Sequence, residues 1–140
     1  MGLLDRLAGA KQPVTLSPKA ALALAAMTVM GPDGSFDDGE LSVLQNLVRG
    51  DNDAFNQAWE TYKRLGASDC IPHVTQALNE PQRLATLANL LDIAMADGVM
   101  EPAEEQILAR YLETFNIPEA KVKPIIDFIA IKNDISVFEK

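Results

Sequence analysis

Apolar residues recur along the chain at the three- and four-residue spacing of α-helices, and no segment alternates apolar and polar residues as a half-buried strand would. Residues 20–30 are apolar on almost every side and follow Ser17 and Pro18, a typical N-cap and first helical residue. A similar helix is predicted over residues 81–96. Because helices that are apolar all round belong in the interior, these two are expected to form the spine of the core.

Amphipathic helices, each with one apolar stripe, are predicted around this spine. Their stripes and boundary residues are, in chain order, Leu41, Leu44, Leu47 and Val48 before Gly50; Phe55, Trp59, Tyr62 and Leu65 between an Asp51 cap and Gly66; Ile107, Leu108, Tyr111, Leu112 and Phe115 before Asn116 and Pro118; and Val122, Ile125, Ile126 and Ile129. Pro124 indicates that the last helix either kinks or begins at the proline. A shorter connecting helix is expected over residues 68–78.

The predicted fold class is therefore all-α, a single-domain bundle of about seven helices. Residues 1–16 are expected to form an N-terminal segment with the leucine pattern of a short amphipathic helix. Residues 17–132 would form the helical domain, and residues 133–140 a C-terminal tail. With 140 residues, 48% of them hydrophobic, the chain is long enough to bury about 70% of its unfolded surface.

Composition narrows the classes of function. The chain has 12 Lys and Arg against 20 Asp and Glu, a net charge of -8, which opposes binding to nucleic acid because that affinity comes largely from Lys and Arg. The single Cys70 cannot form an internal disulfide. No apolar run approaches the roughly 20 residues of a membrane-spanning helix, and the first residues lack the pattern of a signal peptide. A reduced, cytoplasmic protein without direct membrane insertion is predicted, of unknown oligomeric state.

Enzymatic chemistry is not predicted. His73 is the only histidine, so no Ser, Thr or Cys nucleophile has an imidazole base besides it. No glycine-rich loop followed by Lys is present to bind phosphate. Cys70 lies three residues before His73, but no second pair of ligands accompanies them, so both are expected to be structural.

An internal repeat is the most informative feature of the sequence. When the chain is aligned with itself at a shift of 64 residues, four positions match as identical or as both acidic. They are Asp33, Gly34, Asp37 and Glu40, which align with Asp97, Gly98, Glu101 and Glu104. The flanking apolar positions follow in the same register. Each copy is predicted to be a buried helix, an Asp-Gly turn and an amphipathic helix that begins with carboxylates. The two copies together are an internal helix-turn-helix duplication.

Capping and turn chemistry would explain much of this pattern. Asp37 as N-cap with Glu40 three residues later forms an acidic capping box, and Glu101 with Glu104 is expected to repeat it. Asp33 and Asp97 precede a turn glycine, where Asp hydrogen-bonds its own backbone. On this hypothesis the carboxylates stabilise local structure and bind nothing.

A site for a hard cation is the alternative explanation. Residues 33–40 and 92–105 together contain nine of the twenty acidic residues and no Lys or Arg. Ca²⁺ takes six to eight oxygen ligands, and the acidic positions of each copy could converge on one ion. Neither cluster contains His or Cys, which disfavours Zn²⁺ or copper. The loops also lack the ligand pattern of an EF-hand.

The two motifs resemble those of a known family. Met-Gly-Pro-Asp-Gly-Ser-Phe-Asp-Asp-Gly-Glu over residues 30–40 and Ala-Met-Ala-Asp-Gly-Val-Met-Glu-Pro-Ala-Glu over residues 94–104 are similar to the duplicated Asp-Gly motifs of TerB-like tellurite resistance proteins. The resemblance covers residues 17–131, with departures at Pro32 and Pro102. It implies a helical bundle whose acidic loops bind divalent cations. It also implies action with protein partners, membrane-associated ones among them, in tellurite or stress resistance.

Three functions follow as hypotheses. The first is a non-enzymatic interaction module that binds a divalent cation, Ca²⁺ before Mg²⁺ or Mn²⁺, through six metal ligands: Asp33, Asp37, Glu40, Asp97, Glu101 and Glu104. The second is an adaptor that docks basic segments of a partner on its acidic loops without metal. The third, from the enzyme class, is a phosphotransfer protein that uses His73. If the two spine helices meet near their C-terminal ends, the acidic loops merge into one surface. If the helices are antiparallel, the loops lie at opposite ends.

Overall fold

The computed structural model describes residues 14–96 and 100–139, and over these residues its regular secondary structure consists of helices without strands. The helices, in chain order, are α1 (Pro18–Met30), α2 (Asp38–Leu47), α3 (Asn52–Leu65), α4 (Ala67–Ala77), α5 (Glu80–Met95), α6 (Pro102–Phe115) and α7 (Glu119–Asn133), followed by a short 3₁₀ helix (Ile135–Phe138). The predicted all-α class is confirmed, as is the predicted number of helices within the described residues.

Local capping signals fix several helix ends where the sequence predicts them. The side chain of Ser17 accepts a hydrogen bond from the backbone N–H of Ala20 at 3.1 Å and begins α1. Asp51 does the same for α3, through the N–H of Ala54 at 3.1 Å. Gly66 ends α3 with a φ of 80°, a conformation that favours glycine. These boundaries are confirmed.

Helix α1 forms the centre of the molecule. Nine of its residues are buried, from Ala20 to Val29, and it contacts α2, α3, α4, α5 and α6. Alanine at many of these positions lets neighbouring helices approach α1 closely. Helix α5 also packs on α1, but it buries mainly one face, which includes Leu87 and Leu90. Helix α5 thus shares the core with α1, but it is not apolar on almost every side as predicted, because its other face carries polar residues such as Asp92.

Helix α4 belongs to the core, although the sequence predicts only a short connecting helix there. Cys70, Ile71 and Val74 are fully buried, and α4 contacts α1, α3 and α6. Pro72 lies inside the helix and is exposed, on the side opposite these contacts.

Helix α7 begins at Glu119, so the alternative in which it begins at Pro124 is wrong. Val122 and Ile129 are buried and α7 packs on α5. The C-terminal part of the chain exposes several large apolar side chains, with exposed fractions of 65% for Phe128, 76% for Ile131 and 81% for Phe138. Within the described residues no helix is both long and apolar enough to cross a membrane.

Candidate functional site

The first acidic loop, residues 31–37, connects α1 to α2. The carboxylate of Asp33 accepts the backbone N–H of Ser35 at 3.1 Å, and Gly34 has a φ of 88°. This is the turn chemistry expected for an Asp-Gly pair, in which the side chain replaces a backbone acceptor. The Asp33 side chain is exposed to solvent.

The end of this loop forms the predicted capping box of α2. Oδ1 of Asp37 accepts the N–H of Glu40 at 2.7 Å, and Oε1 of Glu40 accepts the N–H of Asp37 at 3.1 Å. One oxygen of each carboxylate is thus engaged by the backbone. The predicted capping box is confirmed for the first copy.

The second copy differs from the first. Asp97 lies outside the described residues. Glu101 is the N-cap of α6, but its side chain accepts no capping hydrogen bond. The predicted second capping box is therefore wrong at Glu101. Asp, with one methylene fewer than Glu, belongs to the preferred N-cap residues and Glu does not, since a short side chain reaches the N–H groups of the first turn.

Carboxylates of both copies line one cavity of about 600 Å³, the acidic groove. It is lined by Asp37 and Glu40 from α2 and its cap, Glu104 from α6, Asp92 from α5, the apolar side chains of Met30, Val43, Ile93 and Ala96, and also Gly39, Lys132 and Asn133. The C-terminal ends of α1 and α5 both reach the groove. Carboxylates of the two motifs, Asp37 and Glu40 from the first and Glu104 from the second, therefore share one surface. Asp33 and Glu101 do not line the groove.

Lys132 is a groove residue that the sequence analysis did not single out. Its ammonium group lies 3.0 Å from Oδ1 of Asp92, and both side chains are about half exposed. Lys132 follows the buried Ile129 by three residues, which is the spacing that puts two side chains on the same helical face. That spacing is the one sequence signal that could have pointed to it.

Metal coordination is not visible among the described residues. No group of three or more His, Cys, Asp or Glu side chains within residues 14–96 and 100–139 lies close enough together to hold a metal ion. Because Asp97 is outside these ranges, the six-residue ligand set stays a prediction.

Phe36 of the first acidic loop packs against Trp59 and Tyr62 of α3, and the three rings form an aromatic cluster. The ring of Phe36 meets those of Trp59 and Tyr62 edge to face, at centroid distances of 5.7 and 5.5 Å. Trp59 and Tyr62 are stacked at 5.8 Å. Burial, and then the nearby charge of Asp33, raises the pKa of Tyr62, so its hydroxyl is protonated at neutral pH.

Cys70 and His73, which are spaced like half of a metal site, lie on α4. Cys70 is buried, and burial followed by the charge of Asp69 raises the pKa of its thiol to about 12. A thiol with this pKa is a poor nucleophile and a poor metal ligand at neutral pH. His73 is half-buried on α4.

A family model matches most of the chain. The family model for tellurite resistance protein TerB matches residues 18–125. No curated protein and no solved structure matches the chain.

Proposed function

The chain belongs to the TerB family of tellurite resistance proteins, and from that premise we propose that it is a non-enzymatic interaction module whose ligands enter the acidic groove. The observation that supports this function is that Asp37, Glu40 and Glu104, at least one from each motif, line a single cavity. A cavity of about 600 Å³ is in the size range of ligand sites. Met30, Val43, Ile93 and Ala96 add apolar surface beside the carboxylates.

The first ligand that we propose is a divalent cation, Ca²⁺ before Mg²⁺ or Mn²⁺. Capping engages Oδ1 of Asp37 and Oε1 of Glu40, which leaves Oδ2 and Oε2 for a cation. All side-chain donors of the proposed set are carboxylate oxygens, the ligands that hard cations prefer. Backbone carbonyls and water would complete the coordination shell.

Titration of fully chelated protein with Ca²⁺, Mg²⁺ and Mn²⁺ tests this proposal. A ligand bound only by the folded state stabilises it by about 2.7 kcal/mol at a concentration one hundred times its Kd. We therefore expect Ca²⁺ to raise the melting temperature, and Glu40→Gln to weaken the effect. Glu113→Gln on α6, exposed and outside the groove, is the matched control. A melting temperature indifferent to all three ions would contradict the cation site.

A second candidate ligand is a basic segment of a partner protein, bound without metal. It is favoured by the pair between Lys132 and Asp92, in which a lysine ammonium already neutralises a groove carboxylate. Isothermal titration with an oligolysine peptide in the presence of chelator separates the candidates. Binding that persists in chelator and weakens with salt supports the basic segment. Binding that requires Ca²⁺ supports the cation.

A further inference from the structure

The backbone carbonyl of Gly31 joins the first acidic loop to α3. Gly31 is buried at the point where α1 ends and the loop begins. Its carbonyl oxygen accepts the N–H of Gly34 at 3.0 Å and also a hydrogen bond from the hydroxyl of Tyr62. The same oxygen therefore closes the turn that contains Asp33 and connects this turn to a helix 31 residues away in sequence.

The loop is also held from its other end. A Cβ atom on Gly31 would lie 2.7 Å from Cζ of Phe36, so the phenyl ring lies directly against the Gly31 backbone. Phe36 in turn contacts Trp59 and Tyr62. The loop thus contacts α3 near both of its ends, through the Gly31 carbonyl and through the ring of Phe36.

This loop forms part of the acidic groove. Met30, just before it, and Asp37, at its end, both line the cavity. A displacement of the loop would therefore move the carboxylate of Asp37 in the groove. A phenylalanine at position 62 would fill the aromatic cluster nearly as well as tyrosine, but it would leave the Gly31 carbonyl without its side-chain donor.

We propose that Tyr62 is a positioning residue of the acidic groove: its hydroxyl holds the Gly31 carbonyl and so fixes the loop that ends in Asp37. The inference rests on the proposed function, since it assigns the loop a part in ligand binding. Tyr62 touches no ligand itself. It acts through the backbone of residues 31–34.

The test compares Tyr62→Phe with Tyr111→Phe. Tyr111 is a matched control, because its buried hydroxyl also makes one hydrogen bond, to Thr28 at 2.7 Å, and this partner belongs to α1 and not to the loop. Two quantities are measured well below the melting temperature, the exchange rate of the Gly34 amide hydrogen and the Kd for Ca²⁺. We expect Tyr62→Phe to speed exchange about tenfold, as the loss of a buried hydrogen bond implies, and to raise the Kd about three- to tenfold. Tyr111→Phe should change neither.

The outcomes separate a positioning role from general stability. Unchanged Gly34 exchange in Tyr62→Phe would overturn the proposal. So would faster exchange with an unchanged Kd, or an equal rise of the Kd in both variants. If the wild-type protein binds neither Ca²⁺ nor oligolysine, the proposed function fails. The Gly34 exchange rate then decides alone whether Tyr62 holds the loop.

Discussion

At the scale of single residues, the first motif shows how one carboxylate serves local structure and a groove together. Oδ1 of Asp37 caps α2, while the side chain also lines the groove. Glu40 has the same two roles: its Oε1 accepts the N–H of Asp37, and the residue lines the groove. A capping hydrogen bond uses one oxygen of a carboxylate, so it does not compete with a cation for the other.

Replacement of Asp37 tests this division of labour. We expect Asp37→Ala to lower the free energy of unfolding by about 0.5 to 2 kcal/mol, because the N–H of Glu40 loses its acceptor. The loss should be present in chelated protein and should be larger in Ca²⁺. Urea denaturation under both conditions measures it, with Asp38→Ala, an exposed first-turn acid without the cap bond, as control. A loss seen only with Ca²⁺ would mean that the cap contributes nothing.

At the scale of helices, the groove lies where helix ends of opposite polarity meet. The C-terminal ends of α1 and α5 carry partial negative charge, and the N-terminal ends of α2 and α6 carry partial positive charge. The positive ends favour carboxylates at Asp37 and Glu104. The negative ends add to the attraction for a cation in the groove. Helix α6 differs from α2 because its N-cap side chain makes no capping hydrogen bond.

Because the Glu101 side chain does not cap α6, a substitution there can raise the free energy of unfolding while it weakens Ca²⁺ binding. We expect Glu101→Ser to raise the unfolding free energy of chelated protein by about 0.5 to 1 kcal/mol, because serine is a preferred N-cap. If Glu101 is a cation ligand, the same variant should raise the Kd for Ca²⁺. Glu101→Gln removes the same charge without adding a cap, so the two variants should raise the Kd alike while only Glu101→Ser gains the capping contribution to the unfolding free energy. Equal unfolding free energies for the two variants would contradict the capping argument.

Helix ends were predictable from the sequence because their causes are local. Ser17, Asp51 and Gly66 act within one helical turn, and short-range spacing reveals them. The pairs that shape the site were not predictable in this way. Tyr62 and Gly31 are 31 residues apart, and Lys132 meets Asp92 only because α7 packs on α5. No spacing in the sequence identifies such partners, because they meet only after the helices have packed together.

At the scale of the whole molecule, charge is distributed unevenly around the groove. The chain has a net charge of -8, yet one groove carboxylate, that of Asp92, is paired with Lys132 of the chain itself at 3.0 Å. An exposed ion pair contributes about 0 to 1 kcal/mol to folding, so this contact is not needed for stability. Its main effect is to place a positive charge where a ligand cation would bind.

Removal of Lys132 should therefore strengthen binding. We expect Lys132→Met to keep the apolar stem of the side chain while it lowers the Kd for Ca²⁺ about three- to tenfold, since a like charge no longer lies in the groove.

Lys123→Met is the matched control, because Lys123 lies on the same helix, pairs with Asp127 at 3.2 Å and lies outside the groove. It makes the same change in net charge and should shift the Kd less than twofold. Calorimetric titration at physiological ionic strength measures both, where screening suppresses distant charges. Equal shifts in the two variants would mean that only net charge matters, and weaker binding by Lys132→Met would mean that the lysine assists the ligand rather than competing with it.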